Sequence, residues 1–204
     1  MINGIERVGI YGGTFSPIHN GHIAAAKAFF EQMKLDRLLI IPTLIPPHKS
    51  IDLSDEPYHR FNMCELAFDG VPNIFVSDIE LKRAGPSYTV DTLRELSAEG
   101  RKLFLLCGTD MMLTFDKWRE FEEIFKLCCP IYMRRENETQ NDRLIIEKNN
   151  EYYSKYGVAF RKIIADPIVI SSTQIRELIR NGKDVSEYLP SKVYEYIKEN
   201  GLYL

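Results

Sequence analysis

His19 and His22 are the residues of this chain whose type and spacing point most directly to chemistry. They stand three apart in Thr14-Phe15-Ser16-Pro17-Ile18-His19-Asn20-Gly21-His22, so at the start of a helix both imidazoles share one face. Gly12-Gly13 comes just before them, and a pair of glycines lets backbone N–H groups approach an anion closely. The N-terminus of a following helix favours the same negative charge. Two imidazoles facing a glycine-lined loop suit the handling of a nucleoside triphosphate. The structural alternative is that Gly-Gly is a tight turn and that a histidine near a helix cap only holds the cap. A second cluster reads Ile170-Ser171-Ser172-Thr173-Gln174-Ile175-Arg176. Its hydroxyls stand where Ser and Thr cap free N–H groups. Arg176 falls one helical turn after Thr173, so its guanidinium can join the hydroxyls around a phosphate.

The elements around these residues alternate. The apolar run Val8 to Tyr11 predicts a buried strand, and Ile23 to Met33 has the periodicity of a helix. Further strands are predicted at Leu38–Ile41, Ile74–Val76, Lys102–Cys107, Ile131–Met133 and Ile163–Ala165, with helices around 57–69, 89–99, 113–127 and 143–153. Strands that are apolar throughout predict an α/β fold, a parallel sheet with helices on both faces and ligands at the strands' carboxyl ends. Ser172 to Asn181 and Glu187 to Asn200 predict two closing helices, so residues 1–204 read as one domain with a small helical C-terminal part from about 172 to 204. The net charge of −3 excludes a global positive field for nucleic acid. The apolar runs are too short to cross a bilayer and no signal-peptide pattern opens the chain, so a cytoplasmic location is expected. Cys64, Cys107, Cys128 and Cys129 lack paired C-x-x-C spacing, and the adjacent Cys128-Cys129 in their apolar stretch read as buried thiols rather than metal ligands.

The block Gly12-Gly13-Thr14-Phe15-Ser16-Pro17-Ile18-His19-Asn20-Gly21-His22 resembles the nucleotide-binding motif of the nucleotidylyltransferase superfamily, and Ile170–Arg176 resembles that superfamily's I-S-S-T-x-I-R element. Pro46-Pro47-His48-Lys49, Gly85-Pro86-Ser87-Tyr88-Thr89-Val90-Asp91-Thr92-Leu93, Gly108-Thr109-Asp110 and Trp118 narrow the likeness to bacterial nicotinate mononucleotide adenylyltransferases, from Val8 to Leu189-Pro190. The resemblance implies a Rossmann-like fold and, in NAD biosynthesis, adenylyl transfer from ATP to nicotinate mononucleotide, giving the dinucleotide and pyrophosphate. It implies His19 and His22 as catalytic groups on the triphosphate. Gly12, Gly13, Thr14, Phe15, Gly21, Gly108, Asp110, Ser171, Ser172, Thr173 and Arg176 would lie around ATP. Lys49, Ser87, Tyr88, Thr89, Trp118 and Arg134 would meet the mononucleotide, the last in preference to Arg135. Mg²⁺ is expected through the ATP phosphates, without a protein metal site.

Trp118, the only tryptophan, has charged neighbours in Lys117 and Arg119, which predicts partial burial; its flat ring suits a pyridinium. The N–H groups of the Ser87–Thr89 segment are read as helix-start donors for the nicotinate carboxylate. Many relatives have Asp where this chain has Ser16, and the serine is expected to cap the turn instead. The alternatives are a sibling acting on nicotinamide mononucleotide or phosphopantetheine, or a non-catalytic nucleotide-binding regulator. A monomer and a homo-oligomer are both open.

Overall fold

Strands and helices alternate along the chain as its apolar runs predict, and the strands form one sheet. The computed structural model of the protein describes residues 4–46, 56–133, 142–165 and 170–204. The strands are β1 (Glu6–Gly13), β2 (Arg37–Pro42), β3 (Ile74–Val76), β4 (Arg101–Gly108), β5 (Cys128–Met133) and β6 (Arg161–Ile163). They pair in the order β3-β2-β1-β4-β5-β6, all parallel. The helices are α1 (Asn20–Gln32), α2 (Pro57–Phe68), α3 (Ile79–Lys82), α4 (Thr89–Leu96), α5 (Thr109–Leu113), α6 (Phe121–Leu127), α7 (Asp142–Tyr156), α8 (Ser172–Arg180) and α9 (Ser191–Glu199). Strand order reverses at β1, between β2 and β4, and a crevice opens at such a switch point beyond the strands' carboxyl ends.

Period-two alternation along β4 divides the core. Phe104 and Leu106 pack on one face with Phe29, Met63, Ile175, Val193 and Ile197, beneath α1, α2, α8 and α9. Leu103, Leu105 and Cys107 pack on the other with Val90, Leu93, Phe115, Ile124 and Tyr152, beneath α4 to α7. α8 and α9 therefore share a core with α1. Gly9 in β1 admits this helix layer closely, since a Cβ there would stand 2.3 Å from a Leu35 methyl. Arg7 closes the far end of α1, donating through Nη2 to the Met33 carbonyl at 2.6 Å and through Nε to that of Lys34 at 3.1 Å.

Several boundaries differ from expectation. The helix expected over 113–127 is broken into α5, a 3₁₀ turn at Phe115–Lys117, and α6. Tyr152 sits in the break, its hydroxyl accepting from the Asp116 N–H and donating to the Met112 carbonyl at 3.1 Å. A second helical start is then set by Glu120, at φ 51°. β5 begins at Cys128 rather than Ile131 because its pairing with β4 starts at Leu103, which places Pro130 inside the strand. β6 occupies 161–163 rather than 163–165, in register with Ile131–Met133. α9 begins at Ser191 rather than Glu187, since Pro190 as N-cap has no N–H to continue a helix upstream. Cys64, Cys107 and Cys128 are buried, Cys129 is half-buried, and none forms a disulfide. Burial pushes the Cys64 and Cys128 thiols well up. Among the described residues no helix is long and apolar enough to cross a membrane.

Candidate active site

The glycine pair lies at the end of β1 itself, with Gly12 opposite Ile41 and Gly13 opposite Pro42, rather than in a turn after the strand. The two glycines answer different demands. A Cβ on Gly13 would meet the Phe15 ring at 2.8 Å, whereas one on Gly12 would find nothing nearer than the Ile41 carbonyl at 4.0 Å. Phe15 is buried and takes φ 50°, a strained conformation for a bulky side chain. Its ring meets His22 edge-on at 5.1 Å and Tyr11 at 5.4 Å. His19 is the N-cap of α1, in extended backbone, and His22 is the third residue of the helix. Their rings overlap with centroids 3.7 Å apart, so they share a face as the spacing predicts. The His19 N–H donates to His22 Nδ1 at 3.3 Å. With Nδ1 accepting, a neutral His22 ring carries its hydrogen on Nε2, a donor suited to a phosphate oxygen.

α8 closes the loop between Thr14 and His19 from 155 residues away, Ser172 Oγ donating to the Pro17 carbonyl at 2.9 Å. Arg176 Nη1 donates to the Ser16 carbonyl at 2.6 Å, and Nη2 reaches Thr173 Oγ1 at 3.3 Å. Arg176 Nε is buried without a partner among the described residues. Ser171 is the cap that its type predicts, accepting from the Gln174 N–H at 3.2 Å. The Ser16 backbone thus tethers the turn, through its carbonyl, and among the described residues its side chain makes none of the capping hydrogen bonds that the sequence reading expected. Arg60 ties the other side, a residue that sequence reasoning missed. It is 0% exposed and donates to the carbonyls of Thr14 at 2.8 Å and Leu44 at 3.2 Å. An arginine amid the apolar residues of an amphipathic stretch, Arg60 beside Phe61, Met63 and Cys64, was the available signal.

Beyond Gly108 lies the second half of a cleft of about 330 Å³. It is lined by Gly12, Gly13, Thr14, Phe15, His19, His22, Ser87, Tyr88, Thr89, Gly108, Trp118, Ser171, Ser172, Thr173 and Arg176 from the expected set. Gly21 and Asp110 are not in its lining; Asp110 is exposed at the start of α5. Lys49 and Arg134, with His48 and Arg135, lie outside the described residues. Trp118 is half-buried as expected, one face stacked on Phe115 at 4.6 Å. The Ser87–Thr89 segment needs a correction. The Ser87 N–H is taken by the Ile45 carbonyl and that of Tyr88 by the Pro86 carbonyl. Only Thr89 and Val90, the first residues of α4, retain N–H groups with no acceptor inside the helix.

Two charged lining residues, Glu80 and Arg119, were not predicted. Glu80 is 6% exposed and accepts from Thr92 Oγ1 at 2.7 Å. Burial pushes its carboxyl above the ordinary range, against the opposing pull of Thr92, Ser87 and Arg83. Arg119 lays its guanidinium over the Tyr88 ring, 4.6 Å from the centroid. Among the described residues no group of three or more His, Cys, Asp or Glu could hold a metal ion. The loop side of the cleft offers imidazole, hydroxyl and guanidinium groups, which match phosphate oxygens, so this donor set fits Mg²⁺ carried on a triphosphate.

The cytidylyltransferase-like family model matches residues 10–178, from the glycine strand through α8. The chain belongs to the cytidylyltransferase-like family. A "Probable nicotinate-nucleotide adenylyltransferase" of Clostridium botulinum (strain Kyoto / Type A2) is 38% identical over 197 residues, covering 95% of this chain and 97% of that protein. Its counterpart in Caldicellulosiruptor saccharolyticus is 37% identical over 97% of this chain and 98% of its own. Among solved structures, the Plasmodium falciparum nicotinic acid mononucleotide adenylyltransferase complexed with NaAD superimposes with a TM-score of 0.76 at 21% identity, over 97% of each chain. That likeness shows for this member of the cytidylyltransferase-like family the Rossmann-like fold that the alternating apolar strands and the resemblance led us to expect.

Proposed function

We propose that the protein transfers the adenylyl group of ATP to nicotinate mononucleotide, releasing pyrophosphate. The observation that carries this reading is the meeting in one cleft of Gly12–Phe15, His19 and His22 with Thr173 and Arg176 on one side, and of Tyr88, Thr89 and Trp118 on the other. Full-length relatives bearing the nicotinate-nucleotide adenylyltransferase name support the same acceptor. An oxygen of the mononucleotide phosphate attacks the α-phosphorus in line. The bond from that phosphorus to the bridging oxygen breaks, and the electron pair leaves with pyrophosphate. The attacking oxygen is already anionic, so no side chain need act as nucleophile, and catalysis is positioning and charge stabilisation.

In this reading the open space over Gly12 admits the nucleotide backbone, and His19 and His22 steady charge on the α- and β-phosphates. Thr173 and Arg176 receive the pyrophosphate. Ser172, committed to Pro17, holds the loop. Mg²⁺ would neutralise phosphate charge while held by the triphosphate and water. Gly21 and Asp110 support the site from outside its lining, whereas Lys49 remains an expected phosphate contact and Arg134 an expected contact to the mononucleotide. The test is pyrophosphate release from ATP with nicotinate mononucleotide, nicotinamide mononucleotide and phosphopantetheine in parallel. Release that is fastest with nicotinate mononucleotide supports the reading; preference for either other acceptor, or no release, overturns it.

A further inference from the structure

Arg119 stands at the cleft with its charge poorly matched by the protein. Its side chain is 53% exposed, and among the described residues its ion pair is a single Nε contact to Glu120 Oε1 at 3.5 Å. Glu120 is held instead by Arg94, whose Nη2 lies 2.5 Å from its other oxygen. The terminal nitrogens of Arg119 make no hydrogen bond among the described residues, yet the residue lines the cleft. It is also restrained in direction, because the guanidinium lies over Tyr88. Tyr88 is the N-cap of α4, and Thr89, the first residue of that helix, lines the cleft together with Arg119. Trp118 is its neighbour in sequence and shares the cleft.

We propose that Arg119 is a specificity-determining residue, whose guanidinium reads the carboxylate of the pyridine ring while Trp118 holds the ring's face. This rests on the reading of the acceptor as nicotinate mononucleotide. A planar fork fits a carboxylate through two N–H groups and offers nothing to an amide NH₂. The residue therefore acts on the difference between acid and amide, not on the mononucleotide phosphate that both share.

Calorimetric Kd values for nicotinate and nicotinamide mononucleotide, measured on wild type, R119A and R119M, test this. R119M keeps apolar packing over Tyr88 without the charge. In both variants the acid is expected to bind at least about tenfold more weakly, as loss of a charge-assisted contact implies, with the amide changed less than about threefold. An equal loss for both ligands identifies a phosphate contact and overturns the proposal. An unchanged preference in R119M also overturns it, since the stem rather than the charge would then matter. Pyrophosphate release is followed separately. If acid-selective binding depends on Arg119 but no adenylyl transfer occurs, the proposed reaction fails and this assignment stands.

Discussion

His22 is held by neighbours rather than by its own exposure. Its ring lies on His19, meets Phe15 edge-on, and takes the His19 N–H on Nδ1. Removing it deletes one donor from a preorganised set, so His22→Ala is expected to lower kcat at least about a hundredfold, as losing one transition-state donor does. Steady-state pyrophosphate release, with circular dichroism to confirm the fold, checks this; near wild-type turnover would remove the catalytic assignment. Glu80 makes a prediction about pH. Its carboxyl is raised on folding, chiefly by burial, so it contributes stability while protonated and loses it as pH rises from the ordinary glutamate value of 4.5 through the raised one. Glu80→Gln keeps an acceptor for Thr92 without the ionisation. In urea unfolding from pH 4 to 8, the stability of the variant relative to wild type is expected to rise with pH, and a gap constant with pH would contradict the assignment.

The element that sets the site is the carboxyl end of β1, where two adjacent glycines carry separable loads. Gly13→Ala drives a Cβ into the buried Phe15 ring and is expected to cost about 1–3 kcal/mol, the range for overpacking. Gly12→Ala meets no protein atom within contact and is expected to leave the melting temperature near wild type while weakening ATP use. Thermal melts and ATP KM values for the two variants check this split; a destabilised G12A would deny that its space is kept for ligand. Much of this region was legible from the chain. The apolar strand, the histidine spacing and the capped start of α8 are local patterns, and they lie where periodicity and residue type put them, whereas the glycines, read as a loop, close β1 itself. What escaped was decided across the fold. Tyr152 breaks the expected helix over 113–127 from a later element, and the register of β5 against β4 moves its start. The Ser87 N–H is lost to Ile45, and Arg60 is buried by carbonyls of loops distant in sequence. No short window contains those partners.

At the scale of the whole molecule, α8 joins the two ends of the sheet's covering layer to the loop that follows β1. Arg176 serves both the Ser16 carbonyl and, in the proposed reaction, the leaving pyrophosphate. Arg176→Ala is therefore expected to weaken ATP handling by about 1.5–3 kcal/mol, the value of a hydrogen bond to a charged group. It should also shrink the rise in melting temperature that saturating ATP gives wild type, since stabilisation by a ligand follows its affinity for the folded state. ATP KM together with melts in the presence and absence of ATP checks both; if neither moves, the guanidinium is only a structural tether. The same long-range closure bears on how the protein is made. The donors at positions 172 and 176 leave the ribosome well after Ser16 and Pro17, which lie 160 and 155 residues earlier. At ordinary elongation speeds that interval is on the order of ten to thirty seconds. Throughout it the loop after β1 has the tie from Arg60 but lacks its latch from α8. In the proposed reading, the nucleotide site of a nascent chain therefore stays incomplete until almost the last helix has emerged.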